Sequence, residues 1–329
     1  GDRALVAGGG GGPAGWGGAI AVVPYEMYKI YGDKETFRRY LPKILRYFDY
    51  LDSRSSGGLV CREEKGGWCL GDWCPPEQIT ICEPFVNTAL YVKQMMMTKE
   101  ASEAIGESET AAMLEKRIEE KKQAILNAYY SPQTGSFIGD AQGANSFAID
   151  IGLGGERAFN NTKKKYDAAD AFDTGIFGTD ILTRVLFERG CADTAFHLLT
   201  STGKGSFYNM KKQGATTIWE NWDGERSHSH PMFGAVTRYL FSFILGITQE
   251  KNSAGYEKIV IAPQIPDGLN RASGHITTVR GEIAVSFIRT EREMDFYVTV
   301  PQKAWFTYSS DCEYELWEGE NHIHIDFEE

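Results

Sequence analysis

The sequence has no run of about 18 apolar residues, so no membrane-crossing helix is expected. It has no basic excess either: 34 Lys and Arg stand against 45 Asp and Glu, a formal net charge of -11. That field repels phosphate polyanions, so neither nucleic acid nor an anionic membrane is expected as a partner. The one basic run, Lys163-Lys164-Lys165, is too short to override it and reads as a solvated loop. No GxxxxGK[ST] pattern occurs, which removes a phosphate loop from consideration despite the five glycines Gly8 to Gly12. Four of the six cysteines fall between Cys61 and Cys82, but no CxxC pair and no nearby His accompanies them. A zinc site is therefore not expected, and no cofactor is required. No secretory-leader pattern stands at Gly1, which leaves the compartment open.

What is present is an ordinary globular balance, 42% hydrophobic, in a chain long enough for one large domain and a small one. Aromatics are rich at 12%, with seven Trp and sixteen Tyr. Aromatic faces stack on the apolar faces of sugars, and they also fill large helical cores; composition fits both. Helical periodicity is expected at 18–31, 35–53, 81–98, 108–129, 144–152, 177–188, 192–200 and 231–245. Pro42 is a candidate kink, and Gly190 and Gly246 are candidate C-terminal caps. Between helices, 55–76 is an irregular excursion rich in Gly, Trp and Pro, the kind of long loop that carries function. The glycine run before Trp16 reads equally as a rim loop presenting an indole and as a plain connection.

After about residue 250 the period changes from three or four to two. Ile283, Val285 and Phe287 alternate with Ala284 and Ser286, and Met294, Phe296, Val298 and Val300 with Asp295, Tyr297 and Thr299. Helices first and strands afterward exclude a doubly wound sheet. The expected architecture is mainly α: an α/α toroid over 1–249, followed by a small antiparallel β-sandwich over 250–329.

The chemistry concentrates in 214–236. There Trp219-Glu220-Asn221-Trp222-Asp223 sets a carboxylate between two indoles, with His228 and His230 following it. A carboxylate stabilises an oxocarbenium-like transition state and can deprotonate water, and indoles exclude solvent. His230 is a candidate donor to sugar hydroxyls, whereas His228 reads as a solvated loop residue. The two His without a clear third ligand make a weak metal motif.

These segments resemble glycoside hydrolase family 78, the α-L-rhamnosidases. The resemblance runs through Gly15-Trp16-Gly17, Gly71-Asp72-Trp73, Thr174-Gly175-Ile176-Phe177-Gly178-Thr179, Gly214 to Asp223, and Ser229-His230-Pro231-Met232-Phe233-Gly234, in the family's order. Gly255-Tyr256-Glu257-Lys258-Ile259 and Ile261-Ala262-Pro263 resemble the entry to its C-terminal β-domain. The resemblance implies an (α/α)6 barrel and inverting hydrolysis of terminal α-L-rhamnosides, with a rhamnose-containing glycoside as partner. It implies Glu220 as general base, and His230, Trp219, Trp73, Trp16, Trp222, Asp72 and Asp223 as residues of the sugar site or its support.

Two departures stand out. The family's general acid lies upstream of the Gly-Trp-Gly motif, and Gly15 is only fourteen residues from the start, so the barrel is expected to lack its first helices and the acid. The leading explanation is that the sequence is a fragment of a longer polypeptide that carries the acid; the second is a replacement acid, Asp72 or Glu77. Gly18 stands where many members have Asp, which removes one sugar contact. The alternatives are a rhamnoside-binding protein without turnover and a toroid glycosidase for another sugar.

Overall fold

The computed structural model describes residues 14–61, 71–309 and 312–327. Ten α-helices come first: α1 (Ala14–Gly17), α2 (Ala19–Tyr31), α3 (Lys34–Ser53), α4 (Glu83–Ala104), α5 (Ser108–Tyr129), α6 (Ala144–Asp150), α7 (Gly155–Asp167), α8 (Ile176–Glu188), α9 (Ala192–Thr200) and α10 (Phe207–Lys212). Two small antiparallel hairpins interrupt them, β1 (Ser55–Ser56) with β2 (Leu59–Val60) and β3 (Tyr130–Ser131) with β4 (Ser136–Phe137). The described residues fall into two compact units: those within 14–25, 34–185 and 197–234 in one, and those within 26–33, 186–196 and 235–327 in the other.

In the first unit α3 follows directly from its pattern. Phe37, Leu41, Ile44, Phe48 and Leu51 recur every three or four residues and all are buried, at about 1.5–3 kcal/mol for each large side chain. The helix runs unbroken through Pro42, which sits on its exposed side. α4 is buried on most of its circumference, from Phe85 to Ser102, and packs on α1, α3, α5 and α6. Its buried polar groups are tied: Thr88 Oγ1 accepts from Val60 N at 2.9 Å, and Gln94 Nε2 donates to Ala14 O at 2.8 Å.

α7 corrects the reading of Lys163-Lys164-Lys165 as a loop. The run lies in the last turns of a helix whose other face buries Ala158, Phe159, Thr162 and Tyr166. Lys163 pairs with Asp167 one turn on, and Lys165 Nζ lies 2.7 Å from Asp173. Basic side chains at a helix C-terminus complement its dipole.

Asp150, at the end of α6, has a side chain only 3% exposed between Arg184 Nη1 at 2.6 Å and Lys93 Nζ at 2.7 Å. Burial pushes its carboxyl upward, but the two cations pull harder and hold it below the usual carboxylate range. A depressed carboxylate stabilises the fold above its unfolded value, and this is lost as pH falls through the folded one. Asp150→Asn is expected to cost about 2–3 kcal/mol at neutral pH, discounted because Lys93 is partly solvated. In urea titrations its deficit against wild type should shrink below about pH 4.

The helical run 232–244 passes from a 3-10 turn (Met232–Val236) through one α-turn to a π-turn (Leu240–Ile244), and the second unit takes it up from Ala235. Gly190 and Gly246 both close helical runs with φ of +69°. The strands are β5 (Ile247–Gln249), β6 (Ile259–Ile261), β7 (Arg271–Thr278), β8 (Gly281–Arg289), β9 (Glu293–Val300), β10 (Ala304–Ser309), β11 (Cys312–Leu316) and β12 (Gly319–Asp326). They form two four-stranded sheets, in orders β11-β10-β6-β5 and β12-β9-β8-β7. Alternation puts Ile283, Val285, Phe287, Met294, Phe296, Val298 and Val300 inward, all buried. Phe296 meets Phe287 of its own sheet at 6.0 Å and Phe306 of the other at 4.9 Å between ring centres. One pair departs from the antiparallel expectation: β6 and β10 run parallel, because the chain leaves that sheet for β7, β8 and β9 before returning.

Candidate active site

Glu220 stands on a short tongue. Glu220 N donates to Ser227 O at 2.8 Å and His230 N to Ile218 O at 2.9 Å, so 218–220 and 227–230 form a two-rung ladder. The tip turns through Gly224 (φ +76°), with Asn221 Oδ1 accepting from Arg226 N at 3.2 Å and Asp223 Oδ1 from Glu225 N at 3.1 Å. Such side-chain acceptors replace the backbone partners a turn leaves open. His228, read as merely solvated, is exposed but engaged. It stacks on Trp219 at 4.5 Å, and its Nε2 lies 2.7 Å from Gly224 O.

The Glu220 carboxylate accepts two long hydrogen bonds, from Trp73 Nε1 at 3.3 Å and Ser227 N at 3.4 Å. Bonds of this length orient the group and leave its charge available. Arg226 lies over the Trp73 ring at 4.8 Å, a cation–π contact that pins the indole from the same tongue.

Trp73 is held in turn through a buried polar knot at its neighbour Asp72. Asp72 is 0% exposed. It accepts from Gly175 N at 2.7 Å, Phe177 N at 3.0 Å and Gly178 N at 3.0 Å. These are the open N–H groups at the start of α8, and a carboxylate there completes the helix terminus. Ile176 N donates to Trp73 O at 2.8 Å. The two glycines make the approach possible. A Cβ on Gly175 would come 2.2 Å from Trp73 O, and one on Gly178 would come 2.5 Å from Asp72 Oδ2.

Of the two roles expected of Asp72, a hydroxyl contact or a support, its burial and three backbone donors fit the support of Trp73 and α8. Burial pushes its carboxyl up to about 7, outweighing the three backbone N–H groups that favour the anion. Asp72→Asn should cost roughly 1–3 kcal/mol, because an amide cannot accept all three donors. A raised folded value makes the contribution fullest below about pH 4 and diminishing toward pH 7. The gap between wild type and Asp72→Asn, read as a shift in denaturant midpoint, should therefore narrow over that interval.

Trp222 is corrected more sharply. It is 1% exposed, stacked on Phe172 at 5.8 Å and packed against Phe207 at 5.3 Å and Phe233 at 4.2 Å. Its Nε1 donates to Thr174 O at 3.1 Å. No ring face remains for a ligand. Trp219 is also buried, with one face on His228, while Asp223 is exposed at the tip.

Trp16, half-buried, meets Phe177 edge-on at 6.0 Å, so it joins the same cluster through the residue whose N–H binds Asp72. Trp16 Nε1 and His230 Nδ1 are buried without a hydrogen-bond partner among the described residues. Buried unpaired polar atoms are costly, and they concentrate where ligands bind. At Gly18 the space of a side chain is taken: a Cβ would meet the Gln94 amide at 2.0 Å. The glycine run Gly8 to Gly12 and residues 62–70 lie outside the described residues.

Sequence reasoning missed Arg226, Phe177 and Cys74. The Gly175-x-x-Gly178 spacing was the readable sign of a close approach onto α8. Cys74, at φ +60°, has its thiol pushed up to about 12 by burial and then by Glu220, so it is neutral beside the tongue. Neither substitute acid fits: Asp72 is consumed by backbone, and Glu77 pairs with Lys204 at 3.1 Å on the surface. The described cysteines are all free.

Comparison with known proteins supports one family throughout. Residues 5–244 match the bacterial alpha-L-rhamnosidase 6 hairpin glycosidase domain, and residues 246–307 the bacterial alpha-L-rhamnosidase C-terminal domain. An alpha-L-rhamnosidase of Alteromonas sp. (strain LOR) is 26% identical over 314 residues, covering 88% of this chain and 33% of that protein. The chain thus spans about a third of the length of the curated relatives it matches. Among solved structures, the Streptomyces avermitilis alpha-L-rhamnosidase complexed with L-rhamnose superposes with a TM-score of 0.81 at 22% identity, over 97% of this chain and 33% of that one. The enzyme from Dictyoglumus thermophilum gives 0.84 at 18% identity, over 96% of this chain and 40% of that one. With both domain models matched in order across most of its length, the chain belongs to the bacterial α-L-rhamnosidase family.

Proposed function

We propose that this chain carries the water-activating half of a glycosidase that hydrolyses terminal α-L-rhamnosides with inversion. The observation that supports it most is Glu220 itself. It is a half-buried carboxylate on a tied tongue, oriented by the Trp73 indole and neutralised by no salt bridge among the described residues. In this role Glu220 removes a proton from water as the oxygen attacks the anomeric carbon. A general acid gives a proton to the departing oxygen from the opposite face, about 6.5–9.5 Å away. That acid is not identified among these residues. Trp16 and Trp73 border the sugar, His230 offers its ring nitrogens to hydroxyls, Asp223 reaches one from the tongue tip, and Trp219 backs the tongue. Residues 1–249 form the catalytic domain in this reading, and 250–329 the β-domain.

The test uses the full natural polypeptide with p-nitrophenyl α-L-rhamnoside, following the first product anomer by proton NMR. Initial release of β-L-rhamnose is expected. Initial release of the α-anomer would reject inversion. Binding of L-rhamnose with no release would leave only a binding role. Faster turnover of another p-nitrophenyl glycoside would assign a different sugar.

A further inference from the structure

The outward face of the β12-β9-β8-β7 sheet carries an open depression of about 760 Å³. Strand register shows how it arises. Side chains of one parity stand outward in rows across the sheet. One row is Glu320, Thr299, Ala284, His275; the next is His322, Tyr297, Ser286, Ser273. Small residues on β7 and β8 lie beside a large aromatic on β9, and the relief between them is the depression.

The aromatic is pre-positioned. Tyr297 stacks on His322 at 4.8 Å with 9° between ring planes, and His322 Nε2 lies 2.7 Å from Asp295. The Asp295–His322 pair thus backs one face of the tyrosine. The other face turns toward Ser286 and Ser273, which are too short to cover it, and Tyr297 stays 49% exposed.

Polar commitment divides this sheet face in two. In the row beyond, Asp295 is engaged by His322 and His324, and His324 also meets Asp326. Within the depression, the side chains of Ser273, His275, Glu282, Ser286, Thr299 and Glu320 make no hydrogen bond to any described residue. A lining of free hydroxyls and carboxylates around one bare aromatic face suits a ligand with many hydroxyls and an apolar face. The lining holds two carboxylates and neither lysine nor arginine, so an anionic chain is disfavoured.

We infer that this face of the β-domain binds a neutral oligosaccharide, whose sugar ring stacks on Tyr297 while its hydroxyls pair with Glu282, Thr299 and Glu320. The site belongs to a different compact unit from Glu220. The choice of sugar rests on the proposed rhamnosidase function. The natural role is to hold a glycan chain near the enzyme between cleavage events.

The experiment uses the full natural polypeptide carrying Glu220→Gln, so that the polymer stays intact, in affinity electrophoresis through gels containing a neutral rhamnan. Tyr297→Ala should weaken retention roughly five- to tenfold, and Ser286→Trp, which fills the depression, should do the same. With Glu220 restored, both variants should hydrolyse p-nitrophenyl α-L-rhamnoside at the wild-type rate. Unchanged retention in both variants overturns the proposal. So does a loss confined to binding of pentalysine, which would make the face a cation site. A wild-type rate for Glu220→Gln would sink the catalytic assignment, while loss of rhamnan retention in Tyr297→Ala would still stand.

Discussion

Glu220→Gln is expected to lower kcat on p-nitrophenyl α-L-rhamnoside by roughly 10²–10⁴, the usual worth of a positioned general base. The amide keeps the shape of the side chain and can still accept from Trp73 Nε1, so geometry and KM should change little. What it cannot do is take a proton from water. The bonds that hold Glu220 are long, and its replacement should leave the unfolding free energy within about 0.5 kcal/mol of wild type. Two further readouts separate a lost base from a lost fold. Glu220→Ala should regain turnover in azide, an anion that attacks without deprotonation, and the product should be the β-glycosyl azide. Full activity of the glutamine variant would remove Glu220 from the mechanism.

Trp222→Ala should cost about 3–5 kcal/mol, the range for removing a fully buried aromatic. The cavity would open among Phe172, Phe207 and Phe233, and Thr174 O would lose its indole donor. Trp222 roots the tongue, so the loss should also reach the site. Trp222→Phe keeps most of the volume and should recover over half of the stability, though not the bond to Thr174. Guanidinium titration followed by circular dichroism gives the stability arm. If Trp222→Ala instead left stability intact and raised only KM for sugar, Trp222 would be a sugar platform after all.

The contrast between Glu220 and Trp222 shows what was legible beforehand. A polar and aromatic cluster in an unpatterned segment marked the candidate site, but residue type alone could not tell an exposed indole from one facing the core. Trp222 and Asp72 look like site residues in one dimension and are its foundations in three. α3 and α5 were readable because a single apolar stripe carries each. α7 was hidden because Asn160, Asn161 and three lysines diluted the stripe of Ala158, Phe159, Thr162 and Tyr166. The strands β8 and β9 were readable from strict alternation. The parallel pairing of β6 with β10 was not, since it depends on where the chain goes between them, and no local period records that.

The two-rung ladder beneath Glu220 bears on how such a chain can diversify. Glu220 and His230 sit on opposite legs of one clasp, so a slip in register between the legs would separate them, while a longer tip beyond Glu220 and Ser227 would leave both rungs in place. The Glu220 carboxylate and the His230 imidazole therefore keep their relative places only while both rungs hold. Trp16, which meets Phe177 and not the tongue, can be exchanged without resetting that clasp, whereas Trp73 donates to Glu220 and lies under Arg226, so exchanging it reaches the carboxylate directly.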